Sequence, residues 1–326
     1  MNDPVLKHEW LPAADLSELD PSKPFGFKLL GEDLLLVHLE HGWECWLDLC
    51  LHRGTKLSLG KLEAGRLTCP YHGWAYGPGG ACVHIPAHPN QAIPAKARTP
   101  KLPLQISSGI VWVAFERPEH APPGHEPPSL PEWTDPNFKK IPCGPFSVKA
   151  SGPRVVENFL DVAHFAFVHE GYLGSRDHPE IPDYTVEQTP EGITSKDINV
   201  YQPNPDGDGV GRWVNYTYTV FRPLVAYFRK NSGDKILAIL LVVTPISELE
   251  TVARFVLAMN YAHDTPDRER QAFQETIFLQ DQPILESQRP ERLPLDLQAE
   301  LHLRSDRMAI AYRKWLNELG LSFGTA

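Results

Sequence analysis

The chain has 326 residues and a formal net charge of −10, from 31 basic and 41 acidic residues. At about 150 residues per domain, this length indicates two domains, with a single large domain as the alternative. A hydrophobic content of 42% and a charged content of 22% exclude a disordered chain, and the acidic balance argues against nucleic-acid binding, which usually depends on basic patches.

The sequence shows no candidate membrane span or secretory signal. Its longest apolar run covers residues 236–243, far short of the roughly 20 residues that cross a bilayer. The first ten residues lack the basic start and apolar stretch of a signal peptide. Five cysteines are too few for a disulfide scaffold. We therefore expect a soluble cytoplasmic protein.

The first third of the chain is predicted to be rich in β-structure. Short apolar stretches alternate there with glycine and proline, a pattern typical of short strands. The clearest candidates are residues 33–40, 45–49 and 109–115.

A proline-rich segment separates this part from the rest. Nine of the 29 residues from 117 to 145 are proline, so the segment is predicted to be an extended linker or surface strap. A long loop inside one domain is the alternative.

The remainder is predicted to be a mixture of helices and strands. Residues 154–167 have few helix breakers and predict a helix, and strand-like segments follow at residues 184–187, 212–228, 235–243 and 251–261. Two helices close the chain. The first is capped by Asp264 or Thr265, with Pro266 in its first turn, and runs to about residue 287. The second covers residues 305–319.

Two cysteine–histidine pairs form the first candidate site. Cys50 and His52 lie in one tight segment, and Cys69 and His72 lie in another. A zinc finger normally places two cysteines on one knuckle and two histidines on the other. One of each per knuckle suits a two-iron cluster, with both thiolates on one iron and both imidazoles on the other. A structural zinc site remains the alternative, and Cys45, Cys82 and Cys143 are interpreted as buried small apolar residues.

A second candidate site lies on the predicted helix at residues 154–167. Asp161 and His164 are three apart and share a helix face. His164 and His169 are five apart, which places them about 140° apart around a regular helix. These histidines can share a metal only if the helix bulges or ends between them, as happens frequently at functional sites.

These patterns resemble a known family. C-x-H-R-G and C-P-Y-H-G-W resemble the Rieske iron–sulfur signature, and D-x-x-H-x-x-x-x-H after it resembles the catalytic domain of the Rieske non-haem iron oxygenases. The resemblance covers essentially the whole chain. It implies an α+β fold: an all-β Rieske domain at residues 1–116, a linker at 117–147, and a catalytic domain at 148–326 of antiparallel sheet covered by helices (helix-grip, START-like).

The resemblance also implies the metal ligands. Cys50, His52, Cys69 and His72 would hold a [2Fe-2S] cluster, and His164, His169 and Asp281 a mononuclear Fe(II). Asp281 lies in the segment QDQPILESQ, in which Pro283 is expected to perturb the helix. The competing acids are Glu275, Glu286 and Asp296.

Asp161 has a different implied role. By analogy with the family, its carboxylate would bridge His164 to His72 of a neighbouring subunit and so carry electrons between the two metal centres. This arrangement implies a homotrimer. A helix-surface charge is the alternative for Asp161.

The implied function is that of a terminal oxygenase. No glycine-rich dinucleotide fingerprint is present: residues 207–211 are glycine-rich, but residues 204–206 before them read as a turn and not as a strand that leads into a helix. A separate NAD(P)H-dependent reductase or ferredoxin would therefore reduce the cluster. The expected reaction uses O2 to hydroxylate, or to O- or N-demethylate, a small aromatic or heterocyclic compound. Such a reaction would be a step in the catabolism of that compound. Ring cis-dihydroxylation is an alternative, as are two different classes: a Rieske electron carrier without oxygenase chemistry and a zinc-binding interaction module.

The sequence says less about the substrate. The short length of the chain and its QDQPILESQ segment resemble those of the group that includes vanillate and dicamba O-demethylases, caffeine N-demethylases and phthalate oxygenases. The candidate pocket residues are Asn158, Phe165 and Val168, with Phe159, Phe167 and Tyr172 as further candidates. An aromatic acid would need a cation, and the arginines on predicted strands, none of which is assigned, are Arg212, Arg222, Arg229 and Arg254.

Overall fold

The computed structural model describes residues 3–116, 126–189 and 192–326. The chain divides into two compact units, one running from Leu6 to Pro127 and one combining Asp3–Val5 with Pro128–Ala326. None of the helices in the described ranges is long and apolar enough to cross a membrane.

The first unit is built from short antiparallel strands and 3-10 turns. Its strands are β1 (Leu11–Asp15), β2 (Phe25–Leu29), β3 (Glu32–Leu39), β4 (Gly42–Leu47), β5 (Lys61–Glu63), β6 (Arg66–Thr68), β7 (Ala75–Tyr76), β8 (Cys82–His84), β9 (Lys101–Leu102), β10 (Leu104–Ser107) and β11 (Ile110–Val113). They form three sheets with the orders β1-β11-β10, β2-β3-β4-β9 and β5-β6-β7-β8. The 3-10 turns are Leu6–His8, Leu16–Glu18, Leu57–Leu59 and Pro78–Gly80.

A hydrophobic core connects these sheets to the first candidate site. Leu35 and Trp46, from the paired strands β3 and β4, pack in one buried cluster with Tyr76 of β7. Cys50 and Cys69 belong to the same cluster. Because protein cores are close-packed, the scaffold fixes where these two sulfur atoms lie.

The second unit contains one large antiparallel sheet and four helices within the described ranges. Its strands are β12 (Lys139–Val148), β13 (Thr185–Thr189), β14 (Gly192–Lys196), β15 (Ile198–Gln202), β16 (Arg212–Arg222), β17 (Val225–Ser232), β18 (Lys235–Ser247) and β19 (Glu250–Met259). Its helices are α1 (Gly152–Leu160), α2 (Phe165–Val168), α3 (Asp267–Ser287) and α4 (Arg307–Leu319), with a 3-10 turn at Arg304–Asp306.

The sheet has the order β12-β19-β18-β17-β16-β14-β13, and β15 also pairs with β16. β18 is a nearly continuous apolar run and is buried along most of its length, as expected for a strand with neighbours on both sides and helices on one face. Helix α1 packs on β17, β18 and β19, and α3 packs on β12. The predicted α+β fold, with antiparallel sheet and covering helices, is confirmed.

The predicted linker at residues 117–147 is wrong at its C-terminal end. Residues from Lys139 form β12, which pairs with β19. β12 is an edge strand, and an edge tolerates proline because one side of the strand needs no ladder hydrogen bond; Pro142 and Pro145 therefore do not prevent it. The predicted strap at residues 117–125 lies outside the described residues.

The strand predictions need two further corrections. The segment predicted as one strand at residues 212–228 is a hairpin, because Pro223 and Leu224 turn the chain between β16 and β17. Strands β14 and β15 were not predicted; both pair antiparallel with β16 and run in the same direction, and Asp197, with a positive φ of 62°, marks the irregularity between them.

The helix predictions hold with changes at their ends. The helix predicted at residues 154–167 is two helices, because Asp161 is extended (φ −84°, ψ 130°) and ends α1. Helix α3 begins after Pro266, which takes the cap position expected for Asp264 or Thr265. It also continues past Pro283 to Ser287, so this proline does not end it.

Candidate functional site

Two loops of the first unit each present one cysteine and one histidine. One loop follows β4 and the other joins β6 to β7. In each loop a glycine amide donates to the cysteine carbonyl, from Gly54 to Cys50 at 2.9 Å and from Gly73 to Cys69 at 3.1 Å. Both glycines have positive φ values, 73° and 70°, so a side chain at either position would strain the tight loop.

The two sulfur atoms are buried among hydrogen-bond donors. Cys50 and Cys69 are 2% and 1% exposed. The Tyr76 hydroxyl lies 3.2 Å from Cys50 Sγ, and the amides of Tyr71 and His72 hydrogen-bond to the Cys69 sulfur. Burial raises the pKa of the Cys69 thiol, and the adjacent Cys50 raises it further. Because these surroundings favour the neutral thiol, a bound metal would be needed to keep both sulfurs as thiolates. The nearby hydrogen-bond donors would then stabilise the thiolate charge.

His52 and His72 complete the candidate set of ligands. The rings of His52 and His72 lie 4.4 Å apart, and His52 stacks on Trp74 at 4.7 Å. His52 Nδ1 is buried and has no hydrogen-bond partner among the described residues, as expected of a ring nitrogen reserved for a metal. Two buried thiols with two imidazoles fit a [2Fe-2S] cluster of Rieske type. His72 is exposed, so the histidine edge of the cluster would face the surface of its unit.

The second site forms where α1 ends. Ser151 caps the start of α1 by accepting from the Arg154 amide, and after Asp161 the chain enters the single turn α2. His164 and His169 occupy the two cap positions of α2. Their ring centroids lie 5.0 Å apart, a separation that a regular helix would not allow for residues five apart.

Asp281 of α3 completes a three-residue cluster. Its Oδ1 lies 3.2 Å from His169 Nε2 and 3.5 Å from His164 Nε2. The three ligand atoms lie within 4.8 Å of one another. Gln280 Oε1 lies 2.8 Å from His169 Nδ1, and Asn158 donates to Asp281 Oδ1 at 3.4 Å. These contacts help to orient the side chains of His169 and Asp281, as partners of metal ligands commonly do.

This cluster fits a mononuclear iron. His164 Nε2 is buried without a hydrogen-bond partner in the described part of the chain. Two imidazoles and one carboxylate on one side of a metal leave its other positions open, which is the arrangement of non-haem Fe(II) oxygenases. Asp281, not a competing acid, lies at the site: Glu286 accepts from the Lys149 amide, Asp296 accepts from the Gln298 amide, and Glu275 is exposed.

Asp161 lies behind His164. Its Oδ2 is 3.2 Å from His164 Nδ1, and its Oδ1 accepts from the Ala163 amide at 2.7 Å. The side chain is 36% exposed and faces a second cavity of about 210 Å³ that His164 also lines. The carboxylate therefore fixes the His164 ring and keeps further acceptor capacity towards the surface.

The ligand triad opens on a cavity of about 340 Å³ between the sheet and the helices of the second unit. Most of its lining is aromatic or aliphatic. Phe159 of α1 stacks on Phe228 at 5.3 Å and meets Tyr218 edge-on at 5.8 Å. A volume and lining of this kind suit a small, largely apolar ring compound.

The candidate pocket residues divide between two places. Asn158, Phe165, Phe159 and Tyr172 line this cavity. The prediction for Val168 is wrong in location, because it lines the second cavity with Asp161. Phe167 is also misplaced, since it is 57% exposed. Residues on one turn of helix point in different directions, so four successive apolar side chains could not all face one cavity.

None of the four strand arginines lines the cavity. Arg212 pairs with Asp206, and Arg229 donates to Glu132 at 2.8 Å. Arg254 donates to Thr244, and Arg222, like these, is not part of the lining.

Sequence reasoning missed the cations that do line the cavity, Lys230 and Arg270. Two signals in the sequence point to them, but only once it is known which residues of the strand and of the helix face the cavity. Lys230 is two residues from Phe228 on one strand, and Arg270 is eleven residues, close to three turns, from Asp281 on one helix. Outside both sites, Cys45, Cys82 and Cys143 are buried, as interpreted from the sequence.

Comparison with known proteins identifies the families to which the two parts of the chain are similar. Residues 9–103 match the Rieske [2Fe-2S] domain family, and residues 148–321 match the vanillate O-demethylase oxygenase C-terminal domain family. The methylxanthine N1-demethylase NdmA of Pseudomonas putida is 32% identical over 96% of this chain and 89% of its own.

Solved structures of similar proteins share the fold of this chain over nearly its whole length. The structure of Pseudomonas putida NdmA with caffeine superimposes with a TM-score of 0.82 at 30% identity, covering 96% of this chain and 90% of that one. A dicamba monooxygenase structure shares the fold at 23% identity, with a TM-score of 0.82 over 96% of this chain and 97% of that one.

The fold and the two metal-binding arrangements define a Rieske-type oxidoreductase. The chain belongs to the Rieske oxygenases that carry a vanillate O-demethylase-type C-terminal domain, a group whose relatives include demethylases and monooxygenases. Its cofactors are a Rieske [2Fe-2S] cluster and a mononuclear iron, supplied with electrons that derive from NAD(P)H. The electron-carrier and zinc-module alternatives are thereby excluded.

Proposed function

We propose that the protein is the terminal oxygenase component of a multicomponent system that O- or N-demethylates, or hydroxylates, a small aromatic or heterocyclic compound. The observation that carries the proposal is the open triad of His164, His169 and Asp281 beside a ring-sized, mainly apolar cavity. The names of the relatives NdmA and NdmB, methylxanthine N1- and N3-demethylases, support demethylation in particular.

We assign a role to each site residue. Cys50, His52, Cys69 and His72 would hold the [2Fe-2S] cluster. His164, His169 and Asp281 would hold the mononuclear Fe(II), which when bound activates O2 for attack on the substrate. The protein side chains bind and orient: Gln280 fixes the ring of His169, Asn158 supports Asp281, and the aromatic lining positions the substrate and excludes water.

The overall reaction balances with an external reductant. One methyl group, one O2, two electrons and two protons give formaldehyde, the demethylated product and one water. The electrons would come from NAD(P)H through a separate reductase or ferredoxin. We place the protein in the cytoplasm, where NAD(P)H is available.

We further propose that Asp161 carries electrons between subunits of a homotrimer. Its contact with His164 Nδ1 and its part-exposed carboxylate support this role. His72 of a neighbouring subunit would donate to the same carboxylate, because His72 is exposed on its own unit. The domain assignment that goes with it is residues 1–116 for the Rieske domain and 148–326 for the catalytic domain, to which β12 adds residues 139–147.

Product analysis tests the proposal. The reconstituted holoenzyme, with NADH and a generic reductase, would be supplied with methoxy-aromatics and N-methyl heterocycles, including caffeine, and formaldehyde and ring products would be measured. We expect formaldehyde in proportion to substrate consumed, and its loss in His164→Ala with an unchanged cluster spectrum. A cis-diol as sole product, or turnover that survives His164→Ala, would contradict the proposal.

A further inference from the structure

One end of the cavity carries polar residues that do not belong to the triad of His164, His169 and Asp281. Lys230 of β17 lies in a cross-strand row with Tyr216 of β16 and Leu237 of β18, and all three line the cavity. Gln202 donates to the Tyr216 hydroxyl at 2.9 Å. The turn at residues 204–207 also borders this end.

Lys230 brings a buried positive charge that has no ion-pair partner among the described residues. The residue is 5% exposed, and its Nζ donates to two neutral oxygens, those of Gln202 and Pro205, both at 3.3 Å. An ammonium group has three donors, so one is left for a ligand. Burial lowers the pKa of Lys230 to about 8; Asp206 opposes this shift and Arg270 adds to it.

Arg270 adds a second cation with spare donors. Its Nε is buried without a hydrogen-bond partner in the described part of the chain, and one terminal nitrogen donates to Thr265 at 3.4 Å. The one acid at this end, Asp206, is already held by Arg212 and by Ser232 through its Oδ2. Its Oδ1 remains a buried acceptor. The cations at this end therefore outnumber the acids.

The polar end lies away from the metal ligands. Arg270 and Asp281 are eleven residues apart on α3, which corresponds to about three turns and roughly 16 Å along the helix axis. Gln274, Ile277 and Phe278 lie between them, and all line the cavity. A molecule with one end near Arg270 and the other near Asp281 would therefore lie along an apolar wall.

We propose that the substrate carries a carboxylate, which Lys230 and Arg270 bind, while an aromatic or heteroaromatic ring lies along the apolar wall and presents its oxidised carbon to the triad. This inference rests on the proposed function and narrows its substrate class to ring acids. A carboxylate offers acceptors to both cations and removes the cost of leaving the buried Lys230 and the half-buried Arg270 unpaired.

Direct binding tests the inference without turnover. The probes are 3-methoxybenzoate and 4-methoxybenzoate, each beside its primary amide, and caffeine as a neutral heterocycle. Isothermal titration calorimetry on the anaerobic holoenzyme would give the dissociation constants. We expect at least one acid to bind about 10- to 100-fold more tightly than its amide, the range expected of a hydrogen bond to a charged group. Caffeine should bind more weakly than that acid.

Variants locate the effect. Lys230→Met and Arg270→Met should each reduce the preference for acid over amide about 10-fold or more. Lys196→Met is the matched control, because Lys196 lies in the same sheet but is exposed and pairs with Glu187; it should keep the preference. The comparison of acid and amide in the unaltered protein needs no variant, so a folding defect cannot hide the answer.

Each outcome decides the inference. No acid preference in the unaltered protein, including no binding of any acid, would overturn it, as would tighter binding of caffeine or a preference that survives both variants. Formaldehyde assays on the same probes separate this result from the proposed function. If acids bind preferentially but no oxidised product forms, only the demethylation proposal is contradicted. If neutral probes are demethylated and acids show no preferential binding, only the proposed carboxylate site is contradicted.

Discussion

Replacing Gln280 by leucine should weaken iron binding without affecting the cluster. Gln280 Oε1 lies 2.8 Å from Nδ1 of His169, a proposed iron ligand that is 1% exposed. This contact sets both the ring orientation and the tautomer that leaves Nε2 available for the metal. Leucine has a similar size but no acceptor.

The magnitude follows from the burial of the group left unpaired. A buried N–H without an acceptor costs roughly 1–3 kcal/mol. Because Gln280 is half-buried, water can reach the unpaired N–H of His169 from that side, so the lower half of that range, about 1–2 kcal/mol, applies. This corresponds to iron affinity weaker by about 5- to 30-fold, which overlaps the lower part of the ~10- to 100-fold seen when partners of metal ligands are removed.

Equilibrium iron titration with a competing chelator would measure this change, and the cluster absorbance would report the first unit independently. Gln280→Glu keeps an acceptor and should bind iron as well as the unaltered protein. Gln271→Leu is the matched control on α3, because the Gln271 side chain donates to the Pro142 carbonyl and lies nine residues before Gln280 on the same helix. Equal iron affinity in Gln280→Leu and the unaltered protein would refute the role of Gln280.

Three further predictions concern the other groups. Tyr76→Phe removes the hydroxyl 3.2 Å from Cys50 Sγ, so potentiometry should find an assembled cluster with a lower reduction potential, because hydrogen bonds to the sulfurs raise it; an unchanged potential would count against this contact. Asp161→Asn can still accept from the Ala163 amide, so both metal centres should persist while single-turnover electron transfer slows about 10-fold or more; an unchanged rate would remove the bridging role. Lys230 is charged below its pKa of about 8, so acid binding should be strong at pH 7 and weaken towards pH 9. If acid binding by Lys230→Met showed the same pH dependence as the unaltered protein, that assignment would be contradicted.

Much of the site could be predicted because metal ligands leave local spacing patterns. The pairs Cys50–His52 and Cys69–His72 must each come from one tight loop, so their order is visible in the sequence. The separation of His164 and His169 likewise required a break in the helix. The structure adds that the break comes before His164, at Asp161.

The polar end of the cavity could not be predicted in the same way. Alternation along a strand shows that Lys230 shares a face with Phe228, but it does not tell which face meets the cavity. Arg270 lies on α3, and only the tertiary packing of this helix decides which of its side chains reach the cavity. β12 was not predicted because proline normally argues against a strand. Pro142 is tolerated because β12 lies at the edge of the sheet, and the sequence does not show which strand is the edge strand.

Metal analysis of matched variants tests the central assignment most directly. We predict about three irons per fully loaded chain, two in the cluster and one mononuclear. His169→Ala combined with Asp281→Asn should lose about one iron and keep the cluster absorbance and its acid-labile sulfide. Retention of all the iron in that double variant, or loss of the cluster with it, would contradict the account.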